Sequence, residues 1–259
     1  MGESSRLEPQ TVDERYFVDY VLRQRKRYGD SMAVLDFGCG LGEKVHLLRQ
    51  ENIKCVGAEV FYSGSTWDES ALTELIDSGV ISPIPADGRL PFDDSSFDVI
   101  VSDEVIEHVE DLHHVAAELN RVLRPGGRMY HQFPTSEILR EVHIGIPLAH
   151  RLSPGPTRFI YVLILRCAGL GSYKAEQRGR RAWTAAKLAW IDRYCFYRPL
   201  AEAERILGAG RRIRHDEGDY LRARAQGIPI LSWLLRWRRL DRIVARSFRR
   251  VGSTALEIE

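Results

Sequence analysis

The feature that most constrains the fold is a regular alternation of short apolar runs and helical stretches between residues 32 and 134. Apolar runs typical of buried strands lie at 32–37, 54–60, 97–102 and 128–133, and segments with helical spacing lie between them. Alternating strands and helices form βαβ units, in which right-handed crossovers connect parallel strands. The sequence therefore predicts an α/β fold built on a doubly wound, mostly parallel sheet.

The regions outside this alternation are predicted to complete the same fold. No strand pattern returns until residue 211, and the alternating residues 253–259 favour a closing edge strand that runs antiparallel to the others. The predicted division is an N-terminal helical segment at 1–30, a core at 31–134, an inserted helical and loop cap at 135–198, and a completion of the sheet at 199–259.

The composition indicates a globular protein whose charge is unevenly distributed. The chain is 44% hydrophobic and 28% charged, and its formal net charge is only +1. However, residues 1–142 contain 14 Lys+Arg and 26 Asp+Glu, whereas residues 143–259 contain 23 Lys+Arg and 10 Asp+Glu. Either the basic half contacts an anionic partner, or the two halves complement each other within one fold.

Cysteine usage and hydropathy favour a cytoplasmic protein without a metal site. Residues 1–10 are polar, unlike a signal peptide, and the longest apolar run, 159–165, is far shorter than the roughly 20 residues that span a bilayer. The four cysteines show no metal-ligand spacing and are typical of reduced thiols; they are Cys39, Cys55, Cys167 and Cys195.

A glycine-rich loop after the first predicted strand indicates a cofactor site. Gly38, Gly40 and Gly42 would let a ligand lie directly against the main chain. The dinucleotide pattern G-x-G-x-x-G would require glycine in place of Glu43, whose carboxylate would repel a pyrophosphate. Glu59, at the end of the next strand, is positioned to accept hydrogen bonds from ribose hydroxyls. The loop therefore favours a cofactor without phosphates, for which acidic neighbours are suitable.

Four segments resemble the motifs of class I S-adenosylmethionine (SAM)-dependent methyltransferases of the methyltransferase type 11 kind. They are VLDFGCGLG at 34–42, ADGRLPFDDSSFDVI at 86–100, EVIEHV at 104–109 and LRPGGR at 123–128. The resemblance implies a Rossmann-like methyltransferase fold with a seven-stranded sheet, and SAM as the cofactor.

The resemblance also implies roles for individual residues. The glycine loop would lie under the methionine and ribose parts of SAM, and Glu59 would hold the ribose hydroxyls. Asp87 would face the adenine amino group, although it lies one position later in its motif than the acid of many members. The cofactor-binding residues implied in this way are Asp36, Gly38, Gly40, Gly42, Glu59, Asp87, Gly88, Asp103 and Glu104.

Three histidines are predicted to act on the methyl acceptor, as a base or as a ligand. His143 and His150 bracket a loop that directly follows the core, and His131 is expected at the end of the fifth strand, at the mouth of the site. A base at such a position removes a proton from a hydroxyl or amine acceptor. The alternative is that the loop histidines are ordinary polar residues. His108, within the third motif, is interpreted as a packing or helix-start residue.

A basic amphipathic helix is predicted near the C-terminus. Residues 236–250 contain seven arginines and one acid. Such a helix either lies on an anionic membrane surface or packs its apolar side on the sheet. The residues of the apolar side are Trp233, Trp237, Leu240, Val244 and Phe248.

These features predict SAM-dependent methyl transfer to a small-molecule, glycan or lipid-linked acceptor, with oxygen as the favoured acceptor atom. The chain lacks the N/D-P-P-Y/F/W type of motif, which argues against methylation of nucleic-acid amino groups, and it shows no RNA-binding module. The alternatives are a catalytically inactive SAM-binding partner subunit and an RNA methyltransferase. The sequence leaves the acceptor, the oligomeric state and any peripheral contact with a membrane open.

Overall fold

The computed structural model describes residues 11–61, 69–177, 179–225, 244, 247–250 and 252–259. Its helices are α1 (Val12–Tyr28), α2 (Glu43–Gln50), α3 (Glu69–Asp77), α4 (Leu112–Val122), α5 (Pro156–Cys167), α6 (Arg180–Tyr194), α7 (Leu200–Gly208) and α8 (Glu217–Arg224). Its strands are β1 (Ala33–Phe37), β2 (Lys54–Glu59), β3 (Ile81–Pro83), β4 (Phe97–Asp103), β5 (Leu123–Phe133), β6 (Ile213–His215) and β7 (Thr254–Ile258).

Within this described part of the chain, the strands form one sheet in the order β3-β2-β1-β4-β5-β7-β6. Strands β1 to β5 are parallel, and β7 is antiparallel to both of its neighbours. The predicted doubly wound sheet and the antiparallel direction of its last strand are confirmed. The predicted edge position is wrong, because β7 lies between β5 and β6 and the short β6 forms the edge. The strand order switches direction between β1 and β4, and open α/β sheets bind ligands beyond the carboxyl ends of the strands at such a switch point.

The central strands are buried on both faces of the sheet. All five residues of β1 are buried, which explains why all of them except Asp36 are apolar. Val34 packs into the core beneath α1 and α2, and the next residue, Leu35, packs into the core beneath α4 and α7. The two cores hold the carboxyl ends of β1 and β4 next to each other.

The residues between β5 and α7 form a cap with a small core of its own. Trp183 of α6 is fully buried there, together with Ile144, Ile146 and Val162. The indole N–H of Trp183 donates to the Ser172 carbonyl oxygen at 3.2 Å. The cap therefore comprises α5, α6 and the loop that carries His143. The domain boundaries drawn from the sequence remain predictions.

Some elements differ from the sequence-based expectation. Strand β5 begins at Leu123, before the Pro-Gly-Gly turn, whereas the apolar pattern placed its start at residue 128. Strand β3 and helix α8 were not predicted, because three residues are too few to show a period and α8 has almost no amphipathic pattern. The predicted basic helix lies outside the described residues except at Val244, Ser247 and Phe248. Among the described helices, none is both long and apolar enough to cross a membrane.

Candidate active site

The glycine loop leaves β1 in a conformation that only a small residue tolerates. Gly38 has φ +72°, and a Cβ atom built on it would lie 2.3 Å from Cγ2 of Val105. Val105 belongs to the segment that follows β4, so the two loops at the switch point touch at this glycine. Glycine at position 38 therefore allows both the left-handed backbone and the close approach of the loops.

Glu59 joins the end of β2 to the glycine loop. Its Oε2 accepts a hydrogen bond from the backbone N–H of Gly40, and its Oε1 accepts one from the N–H of Val60, both at 2.8 Å. Burial raises the pKa of Glu59, and these two hydrogen bonds oppose the rise. Each carboxylate oxygen has a second lone pair, so the side chain can hold the loop and still accept hydrogen bonds from two ribose hydroxyls.

Asp36 is a buried carboxylate without a hydrogen-bonding partner among the described residues. Its side chain is 0% exposed, and neither of its oxygens accepts a hydrogen bond there. Burial raises the pKa of Asp36 to about 6, although the nearby Lys44 ammonium opposes the rise. Lys44 Nζ lies 3.5 Å from Oδ2 of Asp103 and 5.3 Å from the centre of the Phe17 ring. An orphaned buried carboxylate next to a glycine loop is suited to a cationic ligand.

Two further acids follow β4. Glu104 adopts φ +55°, and burial raises its pKa to about 7 even though Ser253 Oγ donates a hydrogen bond to its carboxylate. Glu107 is 2% exposed, and burial raises its pKa well above the usual range. Among the described residues, neither carboxylate oxygen of Glu107 has a hydrogen-bonding partner.

Asp87 and Gly88 lie on the loop after β3, and Asp87 is exposed. The Asp87 carboxylate accepts a hydrogen bond from the backbone N–H of Arg89 at 3.0 Å. Gly88 has φ +75°, as the turn requires. The adenine contact implied by the resemblance remains a prediction for these two residues.

The cap brings a second set of side chains to the acids of the β4 segment. We call His108, His143, Glu107, Glu141 and Tyr197 the histidine cluster. Nδ1 of His143 lies 2.8 Å from Oε1 of Glu141 and 2.8 Å from the Tyr197 hydroxyl, which itself donates to the same carboxylate. Burial favours a higher pKa of Glu141, but the hydrogen bonds from His143, Tyr197 and the Ile144 N–H outweigh it and lower the pKa.

Aromatic rings line the histidine cluster on its cap side. The Trp190 ring of α6 lies 5.1 Å from the His143 ring and 5.8 Å from the His108 ring, measured between centres. The His150 ring lies 5.0 Å from the Tyr197 ring. The cap thus supplies an aromatic wall that faces the acids of the β4 segment.

Comparison with known proteins agrees with this geometry. Residues 35–131 match the family described as a methyltransferase domain. This stretch is a methyltransferase domain. The glycine loop, Glu59 and the β4 segment all lie within or directly beside the matched residues.

Two curated methyltransferases with different named roles are similar to this domain. A 27-O-demethylrifamycin SV methyltransferase of Amycolatopsis mediterranei is 31% identical over 176 residues, which are 62% of this chain and 62% of that protein. A ubiquinone biosynthesis O-methyltransferase of Mesorhizobium japonicum is 31% identical over 103 residues, 39% of this chain and 40% of that protein. The chain thus spans less than two thirds of the length of either relative.

A solved structure extends the likeness of fold to almost the whole chain. The SAM-dependent methyltransferase from Mesorhizobium loti has a TM-score of 0.52 and 15% identity, and the alignment covers 92% of this chain and 95% of that one. At this identity the likeness shows the fold alone. The seven-stranded Rossmann-like architecture expected of the methyltransferase domain is therefore confirmed.

The residues present fit SAM. Carboxylates stabilise a sulfonium and an amino group, and Asp36 offers two oxygens that accept no hydrogen bond among the described residues. The Lys44 ammonium lies near this carboxylate and that of Asp103, and the several acids of the site outnumber it. The loop at Gly38 leaves the main chain accessible, and Glu59 is fixed at the end of β2. Glu43, which would repel a pyrophosphate, is exposed at the start of α2. The methyltransferase domain therefore has a suitable donor set for this cofactor.

The structure corrects the position of His131 and separates it from the loop histidines. Strand β5 continues for two residues beyond His131, and the ring is 0% exposed within the sheet rather than at an open mouth. Its Nδ1 lies 2.7 Å from Ser102 Oγ, and burial lowers its pKa to about 4. His143 and His150 instead both contact Tyr197, so the predicted loop pair does converge.

Sequence reasoning missed most of the histidine cluster and the lysine beside Asp36. Glu107 and His108 lie in the EVIEHV motif, but the motif alone does not show that the cap reaches them. Lys44 and Glu141 look like ordinary charged residues in the sequence. Glu141 could have been suspected from its spacing of two residues before His143 within an otherwise apolar loop.

Proposed function

We propose that this chain is a SAM-dependent methyltransferase that methylates a hydroxyl oxygen of a small-molecule acceptor. The observation that carries this proposal is the Glu141–His143 pair. Its His143 ring lies beside Glu107 and His108, in the segment that follows β4. When bound, SAM supplies an electrophilic methyl group on a sulfonium leaving group. The acceptor oxygen forms the new bond to carbon, and its proton has to leave.

His143 is the proposed base. Its Nδ1–H donates to the Glu141 carboxylate, so its Nε2 carries a free lone pair that can accept the hydroxyl proton. The same bond fixes the orientation of the ring. General base catalysis of this kind contributes about 10²- to 10⁴-fold to the rate. His150 lies on the other side of Tyr197, and we assign it to the wall of the acceptor pocket.

The cofactor side follows from the same geometry. Asp36, with Asp103 and Glu104, provides negative charge for the methionine end of SAM, and Glu59 holds the ribose hydroxyls. Gly38, Gly40 and Gly42 give the cofactor access to the main chain. We retain Asp87 and Gly88 as the adenine contacts, because their loop follows the strand next to β2.

The aromatic wall supports an acceptor with a planar or apolar body. Trp190, Tyr197 and His150 present ring surfaces, which bury apolar area well and tolerate varied shapes. The names of two relatives describe O-methylation, one of 27-O-demethylrifamycin SV and the other in ubiquinone biosynthesis. A glycan or lipid-linked acceptor is the alternative, and the basic half of the chain favours an anionic group on the acceptor or an anionic surface near it.

The direct test is methyl transfer from isotopically labelled SAM to a panel of phenols and alcohols, followed by mass spectrometry. We expect a product labelled at oxygen from the wild type. His143→Gln should lose at least 100-fold in turnover with an unchanged dissociation constant for SAM. His113→Gln, on the exposed side of α4, is the matched control. If His143→Gln turns over as fast as the wild type, His143 is not the base. If the wild type binds SAM but transfers no methyl group to any acceptor, a non-catalytic partner subunit is favoured.

A further inference from the structure

The Nε2 atoms of two imidazoles lie about equally far from one oxygen of Glu107. Oε1 of this buried carboxylate lies 3.9 Å from Nε2 of His108 and 4.0 Å from Nε2 of His143. Neither Glu107 oxygen has a hydrogen-bonding partner among the described residues. A buried carboxyl group without a hydrogen-bonding partner is unfavourable, so an ion that it can bind would stabilise this arrangement.

The hydrogen bonds at the opposite ring nitrogens leave both Nε2 lone pairs free. Nδ1 of His108 lies 2.6 Å from the backbone carbonyl oxygen of Tyr194, which can only accept, so Nδ1 carries the proton. Nδ1 of His143 donates to the Glu141 carboxylate. Histidines that bind metals characteristically donate their other N–H to a carbonyl or a carboxylate in this way.

From this arrangement we infer a binding site for a divalent transition-metal ion, with Nε2 of His108, Nε2 of His143 and the Glu107 carboxylate as its protein ligands. Imidazole and carboxylate donors suit zinc and cobalt ions. In a tetrahedral zinc site, ligand atoms about 2.0–2.1 Å from the metal are roughly 3.4 Å from each other. The two distances to Glu107 would each shorten by about 0.5 Å, the two imidazole rings would turn toward the shared ion, and at least one coordination position would stay open.

In a second donor set Cys195 replaces Glu107, and ligand atoms of His108, His143 and Cys195 all lie within 4.8 Å of one another. The chemistry of these atoms makes this set less suitable. Cys195 Sγ lies 4.0 Å from Nδ1 of His108 and 3.8 Å from Nδ1 of His143. Both of those nitrogens already donate hydrogen bonds, and burial raises the pKa of the Cys195 thiol, whereas a metal requires the thiolate. The Glu107 set uses the lone pairs that are free.

The site has a consequence that rests on the proposed function. A metal ion on Nε2 of His143 would occupy the lone pair that removes the acceptor proton. Metal binding and general base catalysis by His143 would then exclude each other, and a bound ion would inhibit methyl transfer.

The first test is titration of the metal-free full-length protein with cobalt and with zinc, by visible absorption and calorimetry. We expect one ion per chain with a cobalt spectrum typical of nitrogen and oxygen ligands. His108→Ala and the isosteric Glu107→Gln should weaken binding at least tenfold, and Glu141→Gln should weaken it about 10- to 100-fold. The matched control His113→Ala should bind as the wild type does, and so should Cys195→Ser.

The absence of stoichiometric binding, or equal affinity in His108→Ala, Glu107→Gln and the wild type, would overturn the site. Because metal binding needs neither SAM nor an acceptor, this result is independent of the proposed function. In the transfer assay, zinc should inhibit the wild type, and zinc that raises turnover would overturn the inhibitory role. Loss of cobalt binding in Cys195→Ser would overturn the choice of Glu107 as the third ligand.

Discussion

Replacing Asp36 by asparagine should stabilise the free protein, although Asp36 belongs to the cofactor site. Burial raises the pKa of Asp36 from 3.8 to about 6, so the folded state holds the ionised carboxylate at a free-energy cost above that pH. A difference of this size corresponds to about 3 kcal/mol. The new amide brings donors that the site does not satisfy, at a cost of about 1–2 kcal/mol, so the net gain in unfolding free energy should be about 1–2 kcal/mol.

The sign of the pH dependence follows from the raised pKa. The folded wild type takes up a proton at Asp36 as the pH falls through about 6, whereas the unfolded chain does so only near 4. The stability of the wild type relative to Asp36→Asn should therefore rise as the pH falls over this window. The advantage of the variant should be largest above pH 7 and should vanish near pH 5. Below about pH 4 the variant should be less stable than the wild type by about 1–2 kcal/mol, because only the cost of the unsatisfied amide remains.

Urea unfolding at pH 8 and at pH 4.5 measures this difference, with Asp77→Asn on the exposed side of α3 as the control. Calorimetry should show that Asp36→Asn binds SAM at least tenfold more weakly, because the cationic methionine end loses its carboxylate. A variant that is less stable than the wild type at pH 8, or a difference that does not change with pH, would refute the reasoning. So would unchanged SAM affinity in the folded variant.

Three other perturbations test separate parts of the molecule. Glu59→Ala removes a carboxylate worth roughly 1.5–3 kcal/mol per charged hydrogen bond and should weaken SAM binding at least tenfold in calorimetry; an unchanged affinity would exclude the ribose contact. Gly38→Ala forces a Cβ against Val105 and should lower the unfolding free energy by about 2 kcal/mol or more in urea titration; wild-type stability would contradict the geometry of the loop. The chain should cosediment with anionic liposomes, and raising the salt concentration should weaken this binding. Replacing Arg238, Arg239 and Arg242 by glutamine should also weaken it, by about 1 kcal/mol per arginine. No binding at low salt would refute a membrane role.

The cofactor half of the site was predictable because its determinants are local in sequence. The spacing of Gly38, Gly40 and Gly42 and the position of Glu59 at the end of a strand both follow from runs of fewer than ten residues. Parallel strands place these runs at one edge of the sheet without further information. The alternating residues 253–259 are also a local pattern. They predicted an antiparallel strand, and β7 pairs antiparallel with β5 in the structure.

The acceptor half depends on contacts that no local pattern reveals. His108 and Tyr197 are far apart in sequence and meet at His143 because the core around Trp183 sets the position of the cap. The misplacement of His131 has a similar origin: the apolar pattern suggested where β5 lies but not which residues the sheet would enclose. Burial by distant segments decides which histidine can reach an acceptor.

The central claim is that the loop at Gly38, Gly40 and Gly42, with Glu59 and Asp36, binds SAM. Calorimetric titration of the 259-residue chain with SAM and with its demethylated product, S-adenosylhomocysteine, tests it most directly, with NAD as the matched control. We predict one molecule bound per chain with micromolar or tighter affinity, and no binding of NAD, because Glu43 occupies the place of the third glycine of a dinucleotide site. Binding of NAD without binding of SAM or its product would contradict the account.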